Sequence, residues 1–188
     1  MEKRHWNQRF ASAHNFPKFV KGGAEMVYEL RKVGTSADCA AVLAGAQFAD
    51  AYRVAIEGTQ VNARRAAEKM FARGPRWAEA LLALRNILVR PFGLKTSGEG
   101  EPAPGGVIGL FPVVSETADR LVAGFNDRHQ DFRVVIDVAP SAGGQEITTT
   151  TLVRTHNWLG RIYLAIVLPF HRLIVRNMLQ RASRALIA

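Results

Sequence analysis

Alternation of apolar and polar residues, the period expected of β-strands, marks five stretches of the chain. The first stretch, residues 48–57, carries apolar side chains at Tyr52, Val54 and Ile56. The other four follow one another without an intervening helix, at residues 107–116, 120–125, 128–138 and 146–155. Because only short turns separate these four stretches, the pattern predicts a meander of antiparallel hairpins.

Helical spacing of apolar residues predicts three helices around this meander. Residues 62–72 contain good helix formers, and Pro75 is suited to the first position of a second helix that ends near residue 90. The last and longest helix is predicted over residues 158–186, with a bend at Pro169. Helices that flank an uninterrupted antiparallel meander indicate the α+β class, here a curved sheet wrapped around the long C-terminal helix.

One face of the last helix is predicted to pack on the sheet and the other to face solvent. The predicted core stripe consists of Leu159, Tyr163, Ile166, Phe170, Leu173 and Ile174. On the far side lie Arg161, Arg172 and Arg176. Burial of about six such apolar side chains stabilises by roughly 9–18 kcal/mol before costs, so we expect this helix to be integral to the fold.

The first 46 residues differ from the rest in having weak periodicity interrupted by Pro17 and several glycines. We expect an N-terminal extension over residues 1–46 that is flexible or partly helical, with a short helix at residues 24–33. Residues 47–188 are expected to form a single domain, in which residues 97–106 are a flexible loop by composition.

Composition narrows the class of protein but not its activity. The 188 residues carry a formal net charge of +9, which favours anionic partners without choosing among them. A single cysteine, Cys39, excludes an internal disulfide framework. No secretory signal is evident, and the longest apolar run, residues 162–168, is far shorter than the ~20 residues of a spanning helix. These features predict a cytoplasmic protein.

Polar residues able to carry chemistry are few, and each has a structural explanation. His129, Asp131 and Arg133 alternate along one strand and so share one of its faces, opposite Phe132, Val134 and Ile136. If the apolar face lines a cavity, the polar trio faces solvent. Arg85 and Asn86 are able to hold an acidic or carbonyl group, or to tie a helix end to the following turn.

The junction between the last strand and the last helix offers a further polar pair, His156 and Asn157. Asn157 is placed to cap the helix, and His156 to donate a proton at a cavity mouth. Threonines occupy both faces of residues 146–155, so the direction in which Arg154 and His156 point stays open. Histidine spacing fits no metal site, and no nucleotide or nucleic-acid motif is present, so no metal or cofactor is expected.

Four segments resemble the marks of a bacterial domain family of unknown function. They are residues 49–52 (Ala-Asp-Ala-Tyr), 84–95, 127–133 and 153–163, and the resemblance spans about residues 37–182. That family is usually grouped with the helix-grip superfamily, which includes START lipid-transfer domains, the birch-pollen allergen and polyketide cyclases. The resemblance implies a helix-grip fold, and it transfers no catalytic residues.

The expected function is to bind a hydrophobic or lipid-like small molecule in a cavity between the sheet and the C-terminal helix. The expected ligand contacts are Arg85, Asn86, Phe132, Val134, Ile136, Arg154, His156, Tyr163 and Phe170, with His129, Asp131 and Arg133 as secondary polar candidates. An alternative is a cyclase, dehydratase or hydrolase that uses the same cavity. A second alternative is peripheral binding of an anionic membrane or RNA through the basic surface.

Overall fold

A seven-stranded antiparallel sheet forms the centre of the protein, whose computed structural model describes residues 30–72 and 105–187. The spatial order of the strands is β1-β2-β7-β6-β5-β4-β3. In chain order the elements are β1 (Arg31–Val33), α1 (Ala37–Val42), β2 (Phe48–Glu57), α2 (Ala63–Phe71), β3 (Val107–Ile108), β4 (Phe111–Glu116), β5 (Arg120–Asn126), β6 (Gln130–Ser141), β7 (Gly144–Thr155) and α3 (Trp158–Ile187).

The predicted α+β class and the antiparallel meander are confirmed. Strand β2 has the predicted bounds, β5 and β7 fall on the predicted stretches with small extensions, and β6 begins two residues and ends three residues later than predicted. The stretch predicted as one strand over residues 107–116 is instead two strands, because the chain turns at Gly109 and Leu110. Gly109 has φ 61°, a left-handed conformation that suits glycine and interrupts an extended strand.

The helix predicted over residues 24–33 is wrong at its described end. Arg31–Val33 is extended and pairs antiparallel with β2, Lys32 opposite Tyr52. The edge of β2 would otherwise present unpaired backbone N–H and C=O groups, and these groups outweigh the weak helical propensity of the segment. The helix predicted over residues 75–90 and most of the loop at 97–106 lie outside the described residues.

The front face of the sheet carries the main core, covered by α2 and by the second half of α3. Side chains from β2, β5, β6 and β7 point to this face, among them Tyr52, Ile136 and Ile147. Helix α2 begins as predicted, since the Asn62 side chain accepts a hydrogen bond from the Arg65 N–H at 2.8 Å. Helix α3 contributes Leu179 and other side chains that are fully buried.

The back face of the sheet is covered as well, by residues that fall in the predicted N-terminal extension. Cys39 and Leu43 of α1 and its C-terminal turn pack on Val122, Val135 and Leu152. Cys39 is buried, and its Sγ lies 3.4 Å from Asp137 Oδ2. Because apolar side chains are buried on both faces, the sheet is the middle layer of three in the described part of the chain.

The orientation of α3 differs from the prediction. A row of large apolar side chains along its first half faces solvent, and we call this row the outer stripe: Trp158, Ile162, Ile166, Phe170 and Leu173, which are 44–65% exposed. Three of its members, Ile166, Phe170 and Leu173, were predicted to face the core. The first half of α3 is apolar around most of its circumference, so spacing alone did not identify the buried side.

Candidate functional site

A pocket of about 90 Å³ lies between the front face of the sheet and the first half of α3. Its floor is formed by strand residues and its roof by the inner side of α3. The lining residues are Phe48, Phe111, Phe125, Gln130, Phe132, Thr151 and Val153 from the strands and Tyr163, Leu164, Val167, Leu168 and His171 from α3. The pocket is thus apolar and aromatic over most of its surface.

Strand register explains why the floor is aromatic. Val153 of β7 lies opposite both Phe48 of β2 and Phe132 of β6, and Phe132 lies opposite Phe125 of β5. Side chains at paired positions point to the same face of a sheet, so one row across four strands supplies much of the floor. Phe111 of β4 stacks on this row, with its ring 5.0 Å from that of Phe132.

Buried polar groups lie on both sides of this aromatic row, with Gln130 opposite Thr155 on one side and Asp50 opposite Thr151 on the other. Asp50 of β2 faces the same side as Phe48, and its Oδ1 lies 3.2 Å from His171 Nε2. The side chains of Asp50 and His171 are 3% and 14% exposed. Gln130 is also buried, and its Oε1 has no hydrogen-bond partner among the described residues, nor has Asp50 Oδ2. Gln130 therefore brings a buried acceptor to the pocket lining, and Asp50 holds a second one next to His171.

Tyr52, the next residue along the inner face of β2, has a pKa that is affected by the buried Asp50 carboxylate. Burial, and then the nearby charge of Asp50, raise the pKa of Tyr52 to about 12, while Arg172 and Arg176 act in the opposite direction. Both causes favour the neutral phenol over phenolate. The Tyr52 hydroxyl, which lies near Asp50, is thus neutral across the physiological pH range.

Two of the predicted ligand contacts, Phe132 and Tyr163, line the pocket. Val134 and Ile136 point to the same face but lie deeper in the core, where they are 3% and 0% exposed. Phe170 belongs to the outer stripe and faces away from the pocket. Arg85 and Asn86 lie outside the described residues. A ligand-binding role for any of these residues stays a prediction.

The predicted polar candidates meet on the back face of the sheet, away from the pocket. Asp131 is buried, forms an ion pair with Arg154 at 2.8 Å and lies 3.0 Å from His156 Nε2. The Arg154 guanidinium also donates to the backbone oxygen of Ala44, after α1. The expectation that Asp131 faces solvent is therefore wrong, because the α1 segment covers that part of the back face.

Arg133 and His129 also make structural contacts. The Arg133 guanidinium donates to the backbone oxygens of Phe125 and Phe132, and burial lowers its pKa. His129 Nδ1 is within hydrogen-bond distance of the Asn157 amide, and Asn157 Oδ1 accepts from the Gly160 N–H at 3.1 Å. The predicted cap of the last helix by Asn157 is thus confirmed.

Sequence reasoning missed Gln130 and His171, which line the pocket, and Asp50, which contacts His171. The signal for Asp50 was its position two residues before Tyr52, which places both on one face of a strand. His171 similarly lies one helical turn after Val167, on the inner side of α3. No cluster of possible metal ligands occurs in residues 30–72 and 105–187.

Helix α3 also has the length and composition of a membrane-crossing helix, which no other helix in the described ranges has. Its most apolar 18-residue window has a mean hydropathy of 1.4, and 11% of that window is buried. The uninterrupted apolar run of residues 162–168 underestimates the length of the apolar part of this helix, because isolated polar residues interrupt a longer apolar stretch.

Comparison with known protein families assigns the chain to one of them. The model of a family described as "Protein of unknown function (DUF2867)" matches residues 42–178, well over half of the chain. The chain belongs to the DUF2867 family. The match includes every strand residue that lines the pocket and all of α3 as far as Met178, so the pocket is part of the DUF2867 domain.

Two other comparisons add little to this assignment. No curated protein matches this DUF2867 chain. A solved protein from Rhodobacter sphaeroides, determined by the Northeast Structural Genomics Consortium, is 15% identical. The alignment covers 85% of this chain and 95% of that one, with a TM-score of 0.41.

Proposed function

We propose that the protein binds a small apolar or lipid-like molecule, one end of which enters the pocket between the sheet and α3. The observation that carries the proposal is a lining that is aromatic and aliphatic on both sides and contains a buried acceptor, Gln130 Oε1. Small-molecule sites combine mainly apolar walls with a few placed polar groups. The proposal includes membership of the helix-grip superfamily, whose domains hold ligands between sheet and C-terminal helix.

The size of the pocket limits how much of the ligand is enclosed. At about 90 Å³ it is smaller than the ~300–1,000 Å³ typical of sites for whole drug-sized molecules. It suits a ring or the end of an alkyl chain, with the remainder of the ligand outside. Burial of about six methylenes stabilises by roughly 5 kcal/mol before ordering costs, so the apolar contacts alone predict a dissociation constant of about 0.2 mM or weaker.

Gln130 selects the chemistry of the buried end of the ligand. Gln130 Oε1 is an acceptor without a partner in the described residues, so a ligand hydroxyl or N–H group completes its hydrogen bonding. A neutral hydrogen bond of this kind contributes about 0.5–1.5 kcal/mol, or up to about tenfold in affinity. We therefore expect an alcohol or amide to bind more tightly than an ether of the same length.

Calorimetric titration with straight-chain alcohols and with methyl ethers of matched length tests this proposal. The expected result is affinity that rises with chain length and is higher for the alcohol. Val167→Trp fills the roof of the pocket and should weaken binding at least tenfold, because Val167 lines the space that the ligand occupies. Val114→Trp, at a position on β4 that is 54% exposed, is the matched control.

Replacement of Gln130 by leucine separates the two parts of the proposal. Gln130→Leu should abolish the preference for alcohol over ether and leave the chain-length dependence, since only the acceptor is lost. Absence of binding by the unaltered protein across the whole series contradicts the proposal. Binding that is the same in Val167→Trp contradicts its location in the pocket.

The pair of His171 and Asp50 favours a second candidate function, an enzyme of the cyclase, dehydratase or hydrolase type. A carboxylate that holds one imidazole nitrogen orients the ring for proton transfer from the other. Mass spectrometry of bound ligands after incubation tests this candidate. Turnover that is lost in His171→Gln, with ligand affinity retained, supports an enzyme. Ligands recovered unchanged from the unaltered protein support the binding function alone.

A further inference from the structure

The outer stripe of α3 is an unusual surface for the side of a folded domain. Its side chains recur at intervals of four, four, four and three residues, which places them on one face of the helix. From Trp158 to Leu173 the stripe is about 23 Å long. Each member is 44–65% exposed, and no described residue covers them. A contiguous exposed apolar row of this kind marks an interaction surface.

The charge around the outer stripe is positive. Helix α3 contains five arginines and no acidic residue. Arg161 and Arg172 are exposed and lie along one flank of the stripe, and Arg184 is exposed in the last turn. At the other end, Asn157 Nδ2 donates to the backbone oxygen of Arg128, so the backbone of this exposed arginine lies next to the residue that precedes Trp158.

An apolar face flanked by arginines, with a tryptophan at its end, is the pattern of a helix that lies in a lipid–water interface. We propose that the outer stripe docks on an anionic lipid surface, with Trp158, Ile162 and Ile166 in the headgroup region. A basic flank is complementary to anionic lipid and repels a basic partner such as a second copy of this chain. The net charge of +9 acts in the same direction.

Helix α3 lies on the surface in this arrangement and does not cross the membrane. Although its length and apolar content suffice for crossing, Leu179, Ala182 and Leu186 of its second half are buried in the protein core. Crossing would require these residues to leave the sheet. Docking of the outer stripe leaves the core and the pocket intact, since the stripe and the pocket lie on different sides of α3.

Co-sedimentation of the full chain with vesicles tests the proposal. We expect binding to phosphatidylcholine vesicles that contain about one third phosphatidylglycerol, and much weaker binding to phosphatidylcholine alone. Ile162→Glu and Ile166→Glu should each reduce binding at least tenfold, because they place a negative charge within the stripe. Val114→Glu, an equally exposed apolar position on β4, should leave binding unchanged.

Arginine variants test the electrostatic part separately. Arg161→Gln and Arg128→Gln should each weaken vesicle binding about fivefold and reduce its salt dependence, in line with the contribution of one surface charge. Unchanged binding in these variants at low salt contradicts the role of the basic flank.

Each competing occupant of the stripe gives a distinct result that overturns the proposal. If another segment of the chain covers the stripe, Ile166→Glu lowers the melting temperature and the unaltered protein does not sediment with vesicles. If a second copy covers it, sedimentation velocity shows a dimer that Ile166→Glu dissociates, again without vesicle binding. Binding to RNA but not to vesicles of either composition also overturns it.

Discussion

Gly160, three residues into the start of α3, is the closest approach between that helix and the turn before β6. A Cβ atom at this position would overlap the backbone oxygen of His129 and press on the side chain of Thr155. The same junction holds the hydrogen bond from the Gly160 N–H to Asn157 and the contact between Asn157 and His129. The absence of a Cβ atom at Gly160 therefore lets α3 start close against the sheet.

Replacement of Gly160 by alanine should destabilise the protein by about 1–3 kcal/mol, because the backbone of His129 cannot move aside easily. Urea unfolding gives the change in free energy. Gly34→Ala is the control, since a Cβ at that position meets nothing within 4 Å. Equal stability of the two variants would contradict the close approach at Gly160.

The raised pKa of Tyr52 predicts a loss of stability in alkaline solution. Its folded pKa of about 12 exceeds the ordinary tyrosine pKa of 10.0, so its contribution to stability is complete below pH 10 and is lost as pH rises toward 12. After allowance for screening, the loss is about 1–2 kcal/mol. Thermal unfolding at several pH values should show this alkaline loss in the unaltered protein and a smaller one in Tyr52→Phe.

Single residues were predictable where local chemistry decides them. The cap at Asn157 follows from residue type and from its place before an apolar helix. The burial of Asp50 did not follow, because a carboxylate among strand residues is ordinarily read as the exposed side. Here strand β2 places Asp50 on the inner face between Phe48 and Tyr52, where His171 is its partner.

At the scale of elements, strands were easier to predict than the orientation of α3. A period of two, bounded by turn residues, has no other explanation, so β2, β5, β6 and β7 follow from the sequence. The first half of α3 offers an apolar residue in nearly every direction. Its buried side is set by the contacts that Gly160 makes at one end and Leu179 at the other. These contacts involve residues that are distant in the sequence.

A matched pair of leucines in α3 tests this orientation. Leu179 is fully buried, whereas Leu173 is 52% exposed. Leu179→Ala should cost about 2–5 kcal/mol and Leu173→Ala less than about 0.5 kcal/mol. Chemical denaturation gives both values. A larger loss of stability for Leu173→Ala than for Leu179→Ala would contradict this orientation and favour the core stripe that spacing alone predicts.

At the scale of the whole molecule, three layers replace the two that the sequence indicated. Segment 30–46, predicted as part of an extension, pairs with β2 through β1 and covers the back face through α1. The meander showed only one apolar face clearly, since Val135 was the one apolar residue among polar neighbours on the other face of β6. The covering segment is distant in sequence, so alternation within β6 did not reveal it.

Two truncated chains test whether the back layer is needed. A chain that begins at residue 47 exposes Val122, Val135 and Leu152, whereas one that begins at residue 30 keeps them covered. We expect the shorter chain to melt at a lower temperature and to bind a hydrophobic dye, because three buried side chains become exposed. Identical melting of the two chains would contradict the structural role of α1.

The burial of Cys39 between α1 and the sheet makes the reactivity of its thiol a measure of how often the back layer opens. Cys39 is the one cysteine of the chain and is 2% exposed, so an alkylating reagent reaches it only when α1 separates from the sheet. The alkylation rate, followed against denaturant, therefore reports how often that separation occurs. A rate that responds to denaturant more weakly than global unfolding does would identify α1 as the part of the protein that opens first.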